Sequence, residues 1–251
     1  MAIIDNIACR NLTVRLARSE ADRLAAQRLR WDVFRGGLDA APETGSRLDT
    51  DPYDDICDHL LVEDDGQVVG TYRLLRKCVA EAHSGFYSSG EYNLAKLDHR
   101  AGEWLELGRS CVAPAYRDAG TIQLLWRGIA SYLQEHGISM MFGCASFHGI
   151  EPFDHAAPLS YLYHNHLAPA QLRVPALDNR HVDMAMLPIG SYDQRQAMRL
   201  LPPLIKGYLR VGAMVGDGAV IDRDFNTVDV FMIMPVEQIA ARYLHRFSNA
   251  A

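Results

Sequence analysis

Residues 105–120, LELGRSCVAPAYRDAG, carry a carboxylate (Glu106) and a guanidinium (Arg109) on an alternating apolar segment. That segment runs through a proline into a basic, glycine-containing turn and then a strongly helical stretch. A strand feeding a turn that opens a helix brings unpaired backbone N–H groups and the positive end of a helix dipole to one spot, which suits phosphate or pyrophosphate. Arg117, Asp118, Ala119, Gly120 and Thr121 make such a turn. The same five residues also suit an ordinary strand-to-helix connection, so the phosphate reading depends on the elements around them.

Other charges are grouped upstream. Asp39, Glu43, Asp49, Asp51, Asp54, Asp55 and Asp58 crowd one segment. Several carboxylates in one loop attract an ammonium group at short range, and a solvated acidic loop is the plainer alternative. DTDPYDDICD lacks the central glycine and the twelfth-position glutamate of a calcium-binding loop. Arg10, Arg15, Arg18, Arg23, Arg28, Arg30 and Arg35 face only Glu20, Asp22 and Asp32 in the same stretch. Such a patch can steer an acidic partner or form a solvated helix face. His148 and Asp154 sit one residue too far apart for a glycerolipid-acyltransferase pair, and YHNHLA has no metal-ligating surroundings.

The elements that must position these groups follow from periodicity. LTVRLAR (12–18) alternates and reads as a strand, and a helix follows from an N-cap at Ser19 to a stop at Gly36 and Gly37. HLLVEDDGQVVGTYRLLRK reads as two strands joined at Asp65-Gly66, a hairpin signal. A strand at 104–112, a helix at 121–136 and a buried strand at 138–147 form a βαβ unit, which requires a parallel strand pair. Residues 149–200 segment weakly and read as an insertion or variable segment. Residues 201–213 then suit a helix with early prolines and a glycine at its end, and a strand follows at 229–236. The expected fold class is α/β in a single domain over 1–251, with a mixed central sheet, a βαβ unit and flanking helices.

Composition bounds the function. At 251 residues with 49% hydrophobic and 22% charged residues, the chain has the make-up of an ordinary globular protein. A net charge of −6 argues against a nucleic-acid binder. Five cysteines without CxxC spacing fit reduced thiols rather than a disulfide framework or a zinc cluster, and no metal is expected. A signal peptide and an eighteen-residue apolar run are both missing from the sequence, so a cytoplasmic protein is expected, with association at a membrane surface left open.

The order of strand, Arg-x-x-Gly-x turn, long helix and buried strand resembles the GNAT acyltransferase fold, whose turn binds the pantetheine arm and pyrophosphate of an acyl thioester. The pieces LRWDVF (29–34), LDTDPYDDICDHLLVED (48–64), VGTYRLL (69–75), LELGRSCV (105–112) and LPPLIKGYLRVGAMVGDGAVIDRDFNTVDVFMI (201–233) are similar to the ornithine N-alpha-acyltransferases. Those enzymes are related to the acyl-homoserine-lactone synthases and the long-chain N-acyl amino acid synthases.

The resemblance implies transfer of a long 3-hydroxyacyl group from an acyl carrier protein thioester to the α-amine of ornithine, with no separate cofactor. Ile122 stands where the family's turn prefers glycine or alanine, which favours an acyl carrier protein over coenzyme A as donor. Val112 and the turn from Arg117 to Ile122 would hold the thioester. Glu106 would act as general base, Glu106 and Arg109 would match the synthases' ExxR pair, and Tyr208, four residues before Gly212, would protonate the leaving thiolate. Arg73, Asp49, Asp51 and Asp229 would contact the amino acid, with Asp224 a further candidate. Structural pairing remains open for Glu106 with Arg109 or Arg73, for Arg73 with an acidic loop residue, and for Tyr208 as a tyrosine packed on the sheet. Arg28 or Arg30 would line the site as a helix arginine does in the lactone synthases. Glycine, lysine, glutamine or a homoserine-lactone acceptor, a coenzyme A acetyltransferase, and a catalytically idle carrier-binding module are the alternatives.

Overall fold

The computed structural model describes residues 11–35 and 46–239. In chain order the elements are β1 (Leu12–Leu16), α1 (Glu20–Phe34), β2 (Asp58–Asp64), β3 (Gln67–Arg76), α2 (Lys77–Ala82), β4 (Glu103–Val112) and α3 (Ala119–Glu135). They continue with β5 (Ile138–His148), α4 (Ala156–His166), α5 (Gln194–Leu200), α6 (Pro203–Arg210), β6 (Met214–Asp222) and β7 (Thr227–Pro235). The strands form one seven-stranded sheet in the order β1-β2-β3-β4-β5-β7-β6. It is mixed, because β4 and β5 run parallel while β1–β2, β5–β7 and β6–β7 are antiparallel. The chain divides into two compact units: the first takes the chain up to Arg73 together with Arg109–Ser131, and the second takes Leu74–Gly108 with everything from Tyr132 onward.

In the first unit, α1 starts where the sequence marks it. Ser19 Oγ accepts from the Asp22 N–H at 3.2 Å and Asp22 returns the bond to Ser19 N at 3.2 Å, a reciprocal cap that satisfies two otherwise orphaned donors. The expected stop at Gly36 and Gly37 lies outside the described residues. Asp65 (φ 47°) and Gly66 (φ 85°) both adopt the left-handed region, the tight turn whose twist matches a two-strand hairpin. The core holds Ala26, Leu29, Leu61, Val62, Val69 and Ile129. A methyl group on Gly128 would stand 2.7 Å from Leu60 Cδ1 and 2.9 Å from Val14 Cγ2, so a side chain at position 128 would require Leu60 and Val14 to shift where α3 seats against β1 and β2.

The second unit contains the parallel pair, with Glu103–Glu106 of β4 beside Ile138–Phe142 of β5. Its core is aromatic in part: Phe142 lies between Phe86 (centroids 4.9 Å apart, edge-on) and Phe231 (5.5 Å, stacked), and Tyr92 meets Phe231 at 5.2 Å. Residues 149–200 contain α4, which packs on β6 and α5. The chain between α4 and α5 adds single bridges to β6 at Leu167–Val215, Pro175–Asp217 and Val182–Ala219. Strand β6 and helix α2 were not expected from the sequence. Gly216 and Gly218 break the alternation of β6 because another segment crosses it, and a methyl group on Gly216 would fall 2.5 Å from the Val174 carbonyl oxygen. Among the described residues no helix is long and apolar enough to cross a membrane.

Candidate active site

Strand β4 carries Glu106 in the second unit and Arg109 in the first. Arg109 adopts φ 50°, a left-handed conformation that costs a non-glycine residue energy. A residue so placed inside a strand interrupts the two-residue alternation of side chains, the kind of irregularity that an ExxR pair on one strand requires.

The first unit gathers three arginines and three aspartates. Arg30, only 1% exposed, places Nη2 2.6 Å from Asp54 Oδ2 and Nε 2.9 Å from Asp49 Oδ2. The second of these is a charge contact rather than an aligned hydrogen bond. Arg73 donates through Nη1 to Asp51 Oδ1 (2.6 Å) and Asp54 Oδ1 (3.1 Å), with its guanidinium carbon 5.6 Å from the centre of the Tyr53 ring. Arg109 donates through Nη2 to Asp51 Oδ2 at 2.9 Å and holds Nε 3.2 Å from Asp49 Oδ2. Burial lowers the proton affinity of Arg73, but the hydrogen bond and charge of Asp51 outweigh it and raise that affinity overall.

The short turn Pro52–Asp55 sets this geometry locally, since the Asp51 carboxylate caps the Tyr53 N–H at 2.8 Å and proline stands at its first position. Burial pushes the Asp54 carboxyl up, yet the hydrogen bond and charge of Arg30 and the charge of Arg73 prevail and hold it at about 2, against an ordinary 3.8. A folded-state value below the unfolded one contributes stability that is fully present above the ordinary carboxylate value and lost as pH falls through about 2. Thermal melts from about pH 5 down to about pH 2 are therefore expected to show a fall in Tm that Asp54→Asn protein shares only in part; parallel curves would remove Asp54 as the cause.

The 117–122 turn belongs to the same unit. Asp118 caps α3 by accepting from the Thr121 N–H (3.0 Å) and hydroxyl (3.3 Å), and Ile122 N–H bonds to the Asp118 carbonyl at 3.3 Å. Helix geometry leaves the N–H groups of Ala119 and Gly120 without carbonyl partners inside the helix. A methyl group on Gly120 would stand 3.3 Å from Asp118 Oδ1, so the glycine makes room for the cap. Arg117 turns back to donate through Nε to the Val112 carbonyl at 3.1 Å, and Ile122 is 45% exposed. Of the basic patch, Arg15 pairs with Asp22 and Glu63, and Arg23 with Asp55; Arg10 lies outside the described residues.

In the second unit Glu106 is buried and accepts three hydrogen bonds: from Tyr87 N at 2.8 Å, from Ser88 N at 2.7 Å and from the Ser88 hydroxyl. These donors fix the direction of the carboxylate. Ser88 Oγ also stands 3.7 Å from Cys144 Sγ, which stands 3.4 Å from Glu91 Oε2. Burial, then the charges of Glu91 and Asp229, push the Cys144 thiol well above its ordinary range and keep it protonated. Burial and the charge of Asp229 push Glu91 up to about 7, against the hydrogen bond from Cys144 and the charge of Arg180.

Glu91, Asp222 and Asp229 each bring one carboxylate oxygen within 4.8 Å of the others. Asp229 stands on β7 with its own carbonyl accepting from the Tyr92 hydroxyl at 2.9 Å, while Asp224 donates its N–H to Asp222 Oδ1 in the β6–β7 turn. Tyr208 is buried on α6. The sequence reading did not single out Glu91, Ser88 or Cys144. The first two lie in a stretch rich in Ser, Gly, Tyr and Asn that reads as plain loop, and the third sits in an apolar run.

Comparison with known proteins defines the class first. A family model described as "Acetyltransferase (GNAT) domain" matches residues 29–127. Among solved structures, the N-acyl amino acid synthase FeeM from uncultured soil microbes superposes with a TM-score of 0.53 at 10% identity, covering 91% of this chain and 92% of its own. The coenzyme A-dependent acyl-homoserine lactone synthase BjaI, solved with SAM and isopentyl-CoA, gives 0.53 at 14% identity over 96% and 91%. The fold is thus that of the GNAT-type acyltransferases.

The L-ornithine N(alpha)-acyltransferases of Brucella abortus and Rhizobium meliloti are each 47% identical to the chain over 96% of its length and over 90% and 86% of their own. That of Rhodobacter capsulatus is 39% identical over 92% of both. The chain belongs to the L-ornithine N(alpha)-acyltransferase family and is an acyltransferase.

Proposed function

We propose that this chain moves a long 3-hydroxyacyl group from the phosphopantetheine thioester of an acyl carrier protein to the α-amine of L-ornithine, releasing carrier thiol and lyso-ornithine lipid. Kinship along almost the whole chain to enzymes named for ornithine acylation carries the reading of acceptor and reaction. The donor, and the roles of individual residues, rest on chemistry.

The attacking nitrogen arrives as an ammonium and must lose a proton before it can bond to the thioester carbon. Glu106 takes that proton, the N–C bond forms, the C–S bond breaks, and the thiolate receives a proton from Tyr208. Backbone amides near Val112 polarise the carbonyl. The α3 turn, Arg117 to Ile122, holds the pantetheine phosphate through the N–H groups of Ala119 and Gly120, and Ile122, standing where the family's turn prefers glycine or alanine, disfavours the close approach that the pyrophosphate of coenzyme A needs. Arg73, held in place by Asp51, binds the acceptor's carboxylate through its guanidinium. The reaction takes place in the cytoplasm, and the membrane's inner face is the destination of its amphiphilic product.

The test mixes purified protein with 3-hydroxyacyl carrier protein and L-ornithine and follows free carrier thiol and acyl-ornithine by mass spectrometry. The expected result is stoichiometric appearance of both. Product with another amine alone would reject the acceptor, product with acyl-CoA alone would reject the donor, and binding of carrier protein without turnover would make the chain a carrier-binding module.

A further inference from the structure

We propose that Glu91, Asp222 and Asp229 form a binding site for a primary ammonium group, the one that ends the acceptor's side chain. The inference rests on the reading of ornithine as acceptor and supplies the part of the site that tells ornithine from an amino acid with an uncharged side chain.

Three observations converge on this trio. One oxygen from each carboxylate lies within 4.8 Å of the other two, a triangle sized for a small cation with three donors. Two of the three residues are deeply buried, Glu91 and Asp229 each being 6% exposed, and burying like charges together is costly unless a cation arrives. Arg180 reaches Glu91 Oε1 at 3.8 Å with its side chain 46% exposed, a loose pairing for a buried carboxylate.

Thr227 supplies the independent sign of a missing ligand. It stands directly opposite Asp222 in the β6–β7 pair and two residues before Asp229 on β7, so its side chain leaves the sheet on the face the two aspartates share. It is 5% exposed, and its Oγ1 has no hydrogen-bond partner among the described residues. A buried hydroxyl left without a partner is uncommon, and an ammonium held by the trio would supply one. Solvent reaches this face from β5, where Ser146 and His148, the register partners of Asp229 and Thr227, are exposed.

The trio also connects to the proposed base. Glu91 meets Cys144 Sγ, Cys144 meets Ser88 Oγ, and Ser88 donates to Glu106, so two side chains separate the acidic group from Glu106. One end of a diamine would sit at the trio and the other would extend along this row. Calcium or magnesium would call for about six oxygen ligands, and the trio's neighbours include a thiol.

The test compares L-ornithine with L-norvaline, which has the same carbon chain and no side-chain amine, in steady-state acylation. Wild-type protein is expected to show a KM for norvaline roughly tenfold or more above that for ornithine. Asp229→Asn and Thr227→Val should raise the ornithine KM by a larger factor than the norvaline KM. Equal loss on both acceptors would mark the trio as structural, and equal wild-type KM values would sink this inference alone. A wild-type protein inert toward ornithine but active on norvaline would sink the reading of function and this inference with it. Calorimetric titration with magnesium or calcium chloride completes the test: binding that Asp229→Asn abolishes and ornithine leaves unaltered would assign the trio to a metal and overturn the proposal.

Discussion

Arg30→Met is expected to destabilise the protein by about 3 to 5 kcal/mol, read as a lowered midpoint in chemical denaturation, because it removes one partner from a buried charge network and leaves the rest unbalanced. Arg30 donates to Asp54 and to the Asp49 backbone carbonyl and makes a charge contact with the Asp49 carboxylate, so a single substitution strips two hydrogen-bond acceptors and one charge contact. Asp54 would retain Arg73 at 3.1 Å and Gln27 at 2.9 Å, and Asp49 would retain Arg109 at 3.2 Å. Three carboxylates would then share two guanidiniums with little water to screen them. Arg30→Lys keeps the charge but not the planar fork that reaches two aspartates, so it should fall between the two proteins. A methionine variant within about 0.5 kcal/mol of wild type would show that the six groups do not act as a network.

The second large effect concerns Glu106. Glu106→Gln is expected to lower kcat by roughly a hundredfold or more if the carboxylate accepts the amine's proton. Geometry adds a further cost: an amide offers one oxygen and one NH2, and the NH2 cannot accept from Tyr87 N, Ser88 N or the Ser88 hydroxyl. The same variant should therefore lose stability as well, which a thermal melt measures. A pH–rate profile separates the two roles. Loss of the acidic limb of kcat/KM in the variant marks a base, whereas a uniform drop with an unchanged profile marks a carboxylate that only anchors the 87–88 loop. Full activity with an ordinary profile would dispose of both.

Much of the frame was legible because it depends on neighbours in sequence. The cap at Ser19, the Asp65-Gly66 turn, the helix after the 117–121 turn and the parallel strand that follows all come from patterns a few residues long. Strand β6 escaped because its glycines serve a segment that crosses it from about forty residues earlier in the chain, a contact that periodicity cannot register. The acidic loop was visible as charge, but its balance was not. Whether Asp49 and Asp51 face a cationic substrate or the protein's own arginines depends on Arg30, Arg73 and Arg109, which come from a helix and two strands.

By itself, then, the sequence determined the class of fold, the turn that opens α3 and the family, since those reside in local patterns and in likeness along the chain. Tertiary structure alone decided the surroundings of Asp54 and Glu91. It surrounded Asp54 with guanidiniums and held it near 2, and it buried Glu91 beside Asp229 and raised it to about 7. The same side-chain chemistry ends at opposite extremes because desolvation and neighbouring charge are properties of a place in the fold, and residues distant in sequence create that place.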